Sequence, residues 1–205
     1  IRKLDADFIE YKDMARMVSG VCIDSRKCTQ GNLYIPIIGA HFDGHDFAAQ
    51  AIEQGAVAVL WQKDHPHPPQ GAAVILVDDT QQALSELAKK YRESLDLVMI
   101  GITGSNGKTS TKDILCSLLK RKYVTQKTHG NMNNEIGVPL TLLGLSDATQ
   151  VAIVEMGMEN RYEIDALTRL VQPDIAVITN VGEAHLENLG SIENIARAKA
   201  EIVHG

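Results

Sequence analysis

A chain of 205 residues and 22.4 kDa has room for one large domain or two small ones, at roughly 100 to 200 residues each, and is too long for a miniature scaffold that depends on staples. Hydrophobic residues make up 44% and charged residues 22%, ordinary globular usage, and no stretch approaches the roughly 18 uninterrupted apolar residues of a membrane-spanning helix. The balance of 20 Lys+Arg against 26 Asp+Glu gives a formal charge of −6, which argues against a nucleic-acid-binding surface spread over the protein but leaves room for local phosphate sites. The three cysteines (Cys22, Cys28 and Cys116) form no CxxC pair and no disulfide framework, so they are expected to be packing residues in a reducing cytoplasm. No signal peptide precedes the first element, but the chain opens on Ile1 rather than Met, which leaves open that residues are missing at either end.

In chain order, AVAVLW (56–61) and AVILVD (73–78) read as short buried strands. Between them QKDHPHPPQGAA (62–73), with three of the six prolines, reads as an exposed loop. Ala83, Leu84, Leu87, Ala88 and Tyr91 recur at helical spacing and predict a helix over 80–94 with Thr80 as N-cap. A domain junction is placed near residue 96, giving domains of 1–96 and 97–205. Beyond it strands (98–103, 122–126, 151–156, 175–180) alternate with helices (108–121, 134–144, 161–171, 191–203). Such alternation, with near-continuous Val/Ile/Leu strands, predicts an α/β fold with a parallel sheet covered on both faces. The closing AEIVHG has no obvious domain-closing element, which hints at a chain cut within an α/β unit.

The strongest chemical signal is GITGSNGKTS (101–110), between a strand and a helix. Gly104 and Gly107 let the backbone of Ser105 and Asn106 turn its N–H groups into one concavity. Lys108 reaches phosphate oxygens, Thr109 offers Mg²⁺ a hydroxyl, and Ser110 follows in the first turn. The strict Walker A spacing fails by one place: it wants glycine where Ile102 stands, and Gly101 is one residue early. Ligands of an open parallel sheet gather beyond the carboxyl ends of the strands. Glu155 closes one strand, Asn180 closes another and is followed by His185, so Glu155 and His185 are candidate Mg²⁺ ligands. In helix 191–203, with Ser191 as N-cap, Lys199 shares the face of Ile192, Ile195 and Ile202. Spacing alone leaves open whether its stem snorkels along the core or its ammonium meets an anionic or metal centre. Asn134, in GNMNNEIGVP (130–139), reads as a helix N-cap, and spacing does not decide whether the segment also contacts phosphate.

Taken together, TGSNGKTS, GNMNNEIGVPLTLL, VEMGM and ITNVGEAHLENLGSIENIARAKAEI, in this order and at these intervals, closely resemble the bacterial Mur ligases. Within that family they look most like the enzymes that add D-alanyl-D-alanine to UDP-N-acetylmuramoyl-tripeptide, and residues 20–60 look like the family's UDP-substrate domain. The resemblance implies an ATP-dependent amide ligase working through an acyl phosphate, with ATP and two Mg²⁺ ions as cofactors. It implies a small N-terminal α/β UDP-substrate domain followed by a P-loop ATP-binding domain, incomplete here and without the family's C-terminal domain. Thr109 and Glu155 then correspond to ligands of the ATP-linked Mg²⁺ and His185 to a ligand of the second ion. Lys199 corresponds to a lysine carbamylated by CO₂ that helps position Mg²⁺, and Asn134 to an asparagine near the phosphates. Asp24, Ser25 and Arg26, aided by Gly44 and His45, match the UDP-substrate motif. The expected partners are the two substrates, with no nucleic acid and no membrane span, and the protein is expected to be a cytoplasmic monomer. Two alternatives stand beside this: a Mur ligase of the preceding step that adds a diamino acid, and a non-catalytic nucleotide-binding fragment. One departure is visible, since the family usually carries glycine where Tyr162 precedes Glu163 and Ile164, which predicts a differently shaped turn.

Overall fold

The computed structural model describes residues 7–10 and 18–204. The chain divides into two compact units, residues 1–87 and 88–205. The division falls inside a helix, whereas the sequence places the junction near residue 96.

In the first unit, β1 (Asp7–Glu10), β2 (Gly20–Cys22), β3 (Asn32–Tyr34), β4 (Ala58–Gln62) and β5 (Ala73–Val77) form one sheet in the order β1-β5-β4-β3-β2. All neighbours are parallel except β1, which runs antiparallel to β5. The central strands are buried at Leu33, Val59, Leu60, Val74 and Ile75, as β-branched and aliphatic residues covered on both faces require. α1 (Ala48–Glu53) packs Ala48 and Ala51 into a cluster with Tyr34, Val59 and Trp61. Cys22 and Cys28 lie buried in that cluster, as small apolar residues do, and burial pushes the Cys28 thiol up to about 12. α2 (Thr80–Glu93) begins where expected, but its cap is Asp79, whose Oδ1 accepts from the Gln82 N–H at 2.7 Å. Thr80 is instead the first helical residue, buried, and its hydroxyl faces Gln62.

The second unit begins on the last turns of α2. There the Tyr91 hydroxyl donates to Leu145 O, and the Arg92 guanidinium donates to Val171 O and Gln172 O. A buried cation at the last carbonyls of a helix satisfies acceptors that have no intrahelical partner. The elements that follow are β6 (Val98–Thr103), α3 (Lys108–Leu119), β7 (Thr125–Lys127), α4 (Gly137–Leu143), β8 (Val151–Glu155), α5 (Glu163–Val171), β9 (Ile175–Ile178), α6 (Leu186–Leu189) and α7 (Ile192–Ala200), the last running into a short 3-10 turn, Glu201–Val203. The sheet is wholly parallel, in the order β7-β8-β6-β9. β6 and β8, at its centre, are almost entirely buried, while β9 is an edge strand with Ile175 and Ile178 exposed. Cover on both faces therefore holds for the centre of the sheet and not for β9.

Two details of the C-terminal helices differ from the expected pattern. Ile195 and Ile202 are buried with Lys199, but Ile192 is 50% exposed, because the first turn of α7, capped by Ser191 Oγ on the Asn194 N–H, extends past the core. Tyr162 is 66% exposed and takes a left-handed conformation, φ 70°, the shape glycine adopts without strain. The turn is held from below by Glu201, buried, whose two oxygens accept from the Tyr162 and Asp165 N–H groups. The Tyr162→Gly variant is therefore expected to be more stable by about 1 kcal/mol, read as a higher urea midpoint.

Candidate functional site

β6, β8 and β9 deliver their carboxyl ends to one edge of the second sheet, and the phosphate loop is built there. Gly104 has φ 149°, and a Cβ on it would lie 1.9 Å from Thr179 Oγ1, so the chain passes the end of β9 with no space for a side chain. Thr179 Oγ1 donates to Asn106 O at 2.6 Å. Asn180 braces the loop twice, accepting from the Ser105 N–H with its carbonyl and from the Asn106 N–H with Oδ1 at 2.9 Å. The Ser105 hydroxyl exchanges hydrogen bonds with the Gly182 backbone. Ser105 and Asn180, expected as nucleotide contacts, also shape the loop, because adjacent loop N–H groups that bend away from a helix need partners.

Gly107 turns the chain into α3 at φ 78°, and no side chain caps this helix. Its uncapped first-turn N–H groups, at Lys108, Thr109 and Ser110, are the standard physical basis of an anion site. Lys108 Nζ donates to Gly104 O at 2.6 Å. Burial lowers its proton affinity and the charge of Glu155 partly restores it. A cleft of about 560 Å³ opens beside it, lined among others by Lys108, Asn133, Asn134, Glu163 and His185. Asn134 spends Oδ1 on the Gly137 N–H at 2.9 Å, as a cap of the turn into α4, and keeps its amide N–H groups for the cleft. His185 sits at φ 68°, where it opens α6.

Glu155 is 2% exposed and Lys199 1%. Thr109 Oγ1 donates to Glu155 at 3.1 Å, so the two expected Mg²⁺ ligands are in contact. Two partners of Glu155 were not singled out from the sequence: Asn133, inside the GNMNNEIGVP segment, and Lys112, outside every motif. Asn133 Nδ2 donates to Oε1 at 2.9 Å, and Lys112 Nζ to Oε2 at 3.0 Å. Lys112 stands four residues after Lys108 on α3, a spacing that puts both on one face and was the available signal. Lys199 projects inward, as its position between Ile195 and Ile202 requires. Burial first, and then the like charge of Lys108, lower it from 10.5 to about 8.

The residues expected on the substrate side lie in the first unit. Arg26 makes two 2.9 Å bonds to Asp24, whose carboxyl this ion pair holds down at about 2, and Ser25 Oγ donates to Gln50 Oε1. Gly44 is fixed by a close approach, since a Cβ would lie 2.5 Å from Ile37 N. His45 is buried, with Nδ1 2.6 Å from Asp43 Oδ1. Asp43, His45 and His65 bring potential metal ligands within 4.8 Å of one another. Their nitrogens are otherwise engaged: His45 Nε2 faces the Gln62 N–H, His65 Nδ1 faces Pro66 O, and the two rings stack at 4.2 Å and 9° rather than converging on a point.

Two family profiles match the chain: the Mur ligase middle domain over residues 102–205, and the Mur ligase family catalytic domain over residues 17–92. The chain belongs to the Mur ligase family. Among curated Mur ligases, the UDP-N-acetylmuramoyl-tripeptide--D-alanyl-D-alanine ligase of Bacillus subtilis is 53% identical over 189 residues, covering 92% of this chain and 41% of the relative. Among solved structures, MurF from Acinetobacter baumannii superposes with a TM-score of 0.84 at 38% identity, covering 91% of this chain and 41% of that one. A MurF ligase from Thermotoga maritima, solved in complex with ADP, gives 0.81 at 35% identity, covering 94% and 44%. The chain spans about two fifths of the length of the relatives it matches.

The lowered Lys199 has a sign that can be tested. Between about pH 8 and 10.5 the unfolded Mur ligase chain binds more protons at this residue than the folded one, so its contribution to stability rises with pH across that window and is weakest below it. The stability of wild type relative to Lys199→Met is expected to climb from pH 8 upward in urea titrations, and a flat difference would contradict the shift.

Proposed function

We propose that this chain carries the nucleotide-binding and UDP-substrate-binding parts of an ATP-dependent amide ligase, a cytoplasmic monomer that adds D-alanyl-D-alanine to UDP-N-acetylmuramoyl-tripeptide in peptidoglycan precursor synthesis. The observation that carries the reading is the uncapped N-terminus of α3, with Lys108 in a polar cleft at the carboxyl edge of a parallel sheet. The 53% identity to the Bacillus subtilis ligase supports the choice of substrates, and the ADP complex of the Thermotoga maritima relative supports a nucleotide in the cleft.

In this reaction the tripeptide carboxylate attacks the γ-phosphorus of ATP. An acyl C–O–P linkage forms, the bond from the γ-phosphorus to the β–γ bridging oxygen breaks, and ADP leaves. The D-Ala-D-Ala amine then attacks the acyl carbon, loses a proton, and phosphate departs with its oxygen. Both substrates of the first step are anions, so the protein must offset their repulsion. The N–H groups of Lys108, Thr109 and Ser110 bind the phosphate oxygens, and the Lys108 ammonium leaves Gly104 O for them. Asn134 directs its free amide N–H groups to the same oxygens.

Hard oxygen donors suit Mg²⁺, which takes few protein ligands beside phosphate, and the paired Thr109 hydroxyl and Glu155 carboxylate fit that chemistry. Thr109, Glu155 and His185 would hold Mg²⁺, which supplies positive charge between the reacting anions. Lys199 enters this set as a carbamate. An amine near pH 8 exists in part as the free base that CO₂ needs, and its carbamylation replaces a buried cation beside Lys108 with an anion. On the substrate side Asp24, Ser25 and Arg26 with Gly44 and His45 bind the UDP-sugar.

The full-length protein given ATP and UDP-N-acetylmuramoyl-tripeptide is expected to release phosphate only when D-Ala-D-Ala is added. Release with a diamino acid and the UDP-dipeptide instead would overturn the substrate choice. Lys108→Ala is expected to lower turnover about 100- to 1,000-fold or more. Lys199→Ala activity is expected to recover in part with short carboxylic acids, and full activity without them would exclude the carbamate.

A further inference from the structure

Lys112 takes no part in the chemistry above, yet it is among the largest fully buried side chains, 1% exposed. Its Nζ reaches Glu155 Oε2 at 3.0 Å and Gly130 O at 3.1 Å. The Glu155 backbone N–H donates to the hydroxyl of Thr128, itself fully buried. The carboxylate is also met by Thr109, which is exposed and donates within 3.3 Å of both oxygens, and by Asn133, which lines the cleft and donates to Oε1. Glu155 therefore has a buried cation on Oε2, neutral polar groups in Thr109 and Asn133 that connect it to the cleft, and the Lys108 ammonium of the cleft near enough to feel its charge.

A buried carboxylate without a counter-charge is strongly unfavourable, so Lys112 is what allows Glu155 to occupy this position. The same ammonium, 3.0 Å from the carboxylate, repels any second cation that approaches it. A free divalent ion meets a carboxylate that is already neutralised. An ion that arrives with nucleotide phosphates brings its own negative charge and does not depend on Glu155 for neutralisation, only for a placed oxygen.

We propose that Lys112 is a positioning residue that holds Glu155 as a neutralised, prealigned oxygen donor, so that this carboxylate engages a divalent cation only together with nucleotide phosphates. The proposal rests on the reading of Glu155 as a Mg²⁺ ligand and adds the reason free Mg²⁺ is kept out. Its consequence is that the metal enters with the nucleotide rather than before it.

The test is Mg²⁺ titration without nucleotide, followed by thermal unfolding, on the full-length protein and on Lys112→Met, Glu155→Gln and the double variant. Wild type is expected to respond little to millimolar Mg²⁺. Lys112→Met is expected to unfold several degrees lower without the ion, to recover most of that loss with it, and to bind it about tenfold or more tightly. Glu155→Gln and the double variant are expected not to respond. A Lys112→Met protein that gains no more from Mg²⁺ than wild type, or that does not fold with Mg²⁺ while the double variant folds, would overturn the proposal. A wild type whose ADP affinity does not depend on Mg²⁺ would instead refute the underlying metal reading, whatever the Lys112 variants do.

Discussion

The second unit depends on one close approach, that of Gly104 to Thr179 at the ends of neighbouring parallel strands. With no Cβ at residue 104, the chain leaving β6 lies against the chain leaving β9. Asn180 can then take the Ser105 and Asn106 N–H groups, and Thr179 can take the Asn106 carbonyl. Once those are satisfied, Gly107 turns the chain into α3 with its first-turn N–H groups uncapped. A loop held this way pays its ordering cost during folding rather than on binding, which is what preorganisation means for an anion site.

Charge is organised around that loop at short range. Overall the chain is acidic, at −6, so under the proposed function attraction for anionic ligands comes from a few placed groups. Lys108 and Lys199 are close enough for one to depress the other, and both are pulled down by burial. Lys112 is paired with Glu155 instead. The three lysines have distinct settings fixed by their neighbours: one faces the cleft, one is buried with its proton affinity lowered, and one is paired with a carboxylate.

Much of this was legible in the sequence because it rests on local pattern. The strand, glycine turn, lysine and helix of residues 98–110 announce themselves in order, and the alternation beyond residue 97 leaves little choice but a parallel sheet. Lys199 could be placed inward from its spacing to Ile195 and Ile202. What was not legible depends on partners distant in sequence. Lys112 reads as one more polar residue of α3 until β8 brings Glu155 beside it, and Asn133 cannot be told from Asn134 without knowing which one faces Glu155. That Ser105 and Asn180 also brace the loop was not legible, because the bonds join residues some 75 positions apart. In the first unit β2 and β3 are three residues each, too short to show a period, and Asp79 displaced Thr80 as cap because either residue type can fill that role.

The most direct measurement is ADP binding in the presence of Mg²⁺ by the full-length protein and its Gly104→Ala variant, followed by calorimetric titration with folding checked by circular dichroism. The added methyl group would meet Thr179 Oγ1 and force the chains leaving β6 and β9 apart at the loop, with Lys108, Thr109 and Glu155 themselves unsubstituted. Wild type is expected to bind and the variant, still folded, to lose at least about tenfold in affinity. A folded Gly104→Ala protein that binds ADP as tightly as wild type would contradict the claim that this close approach builds the phosphate site.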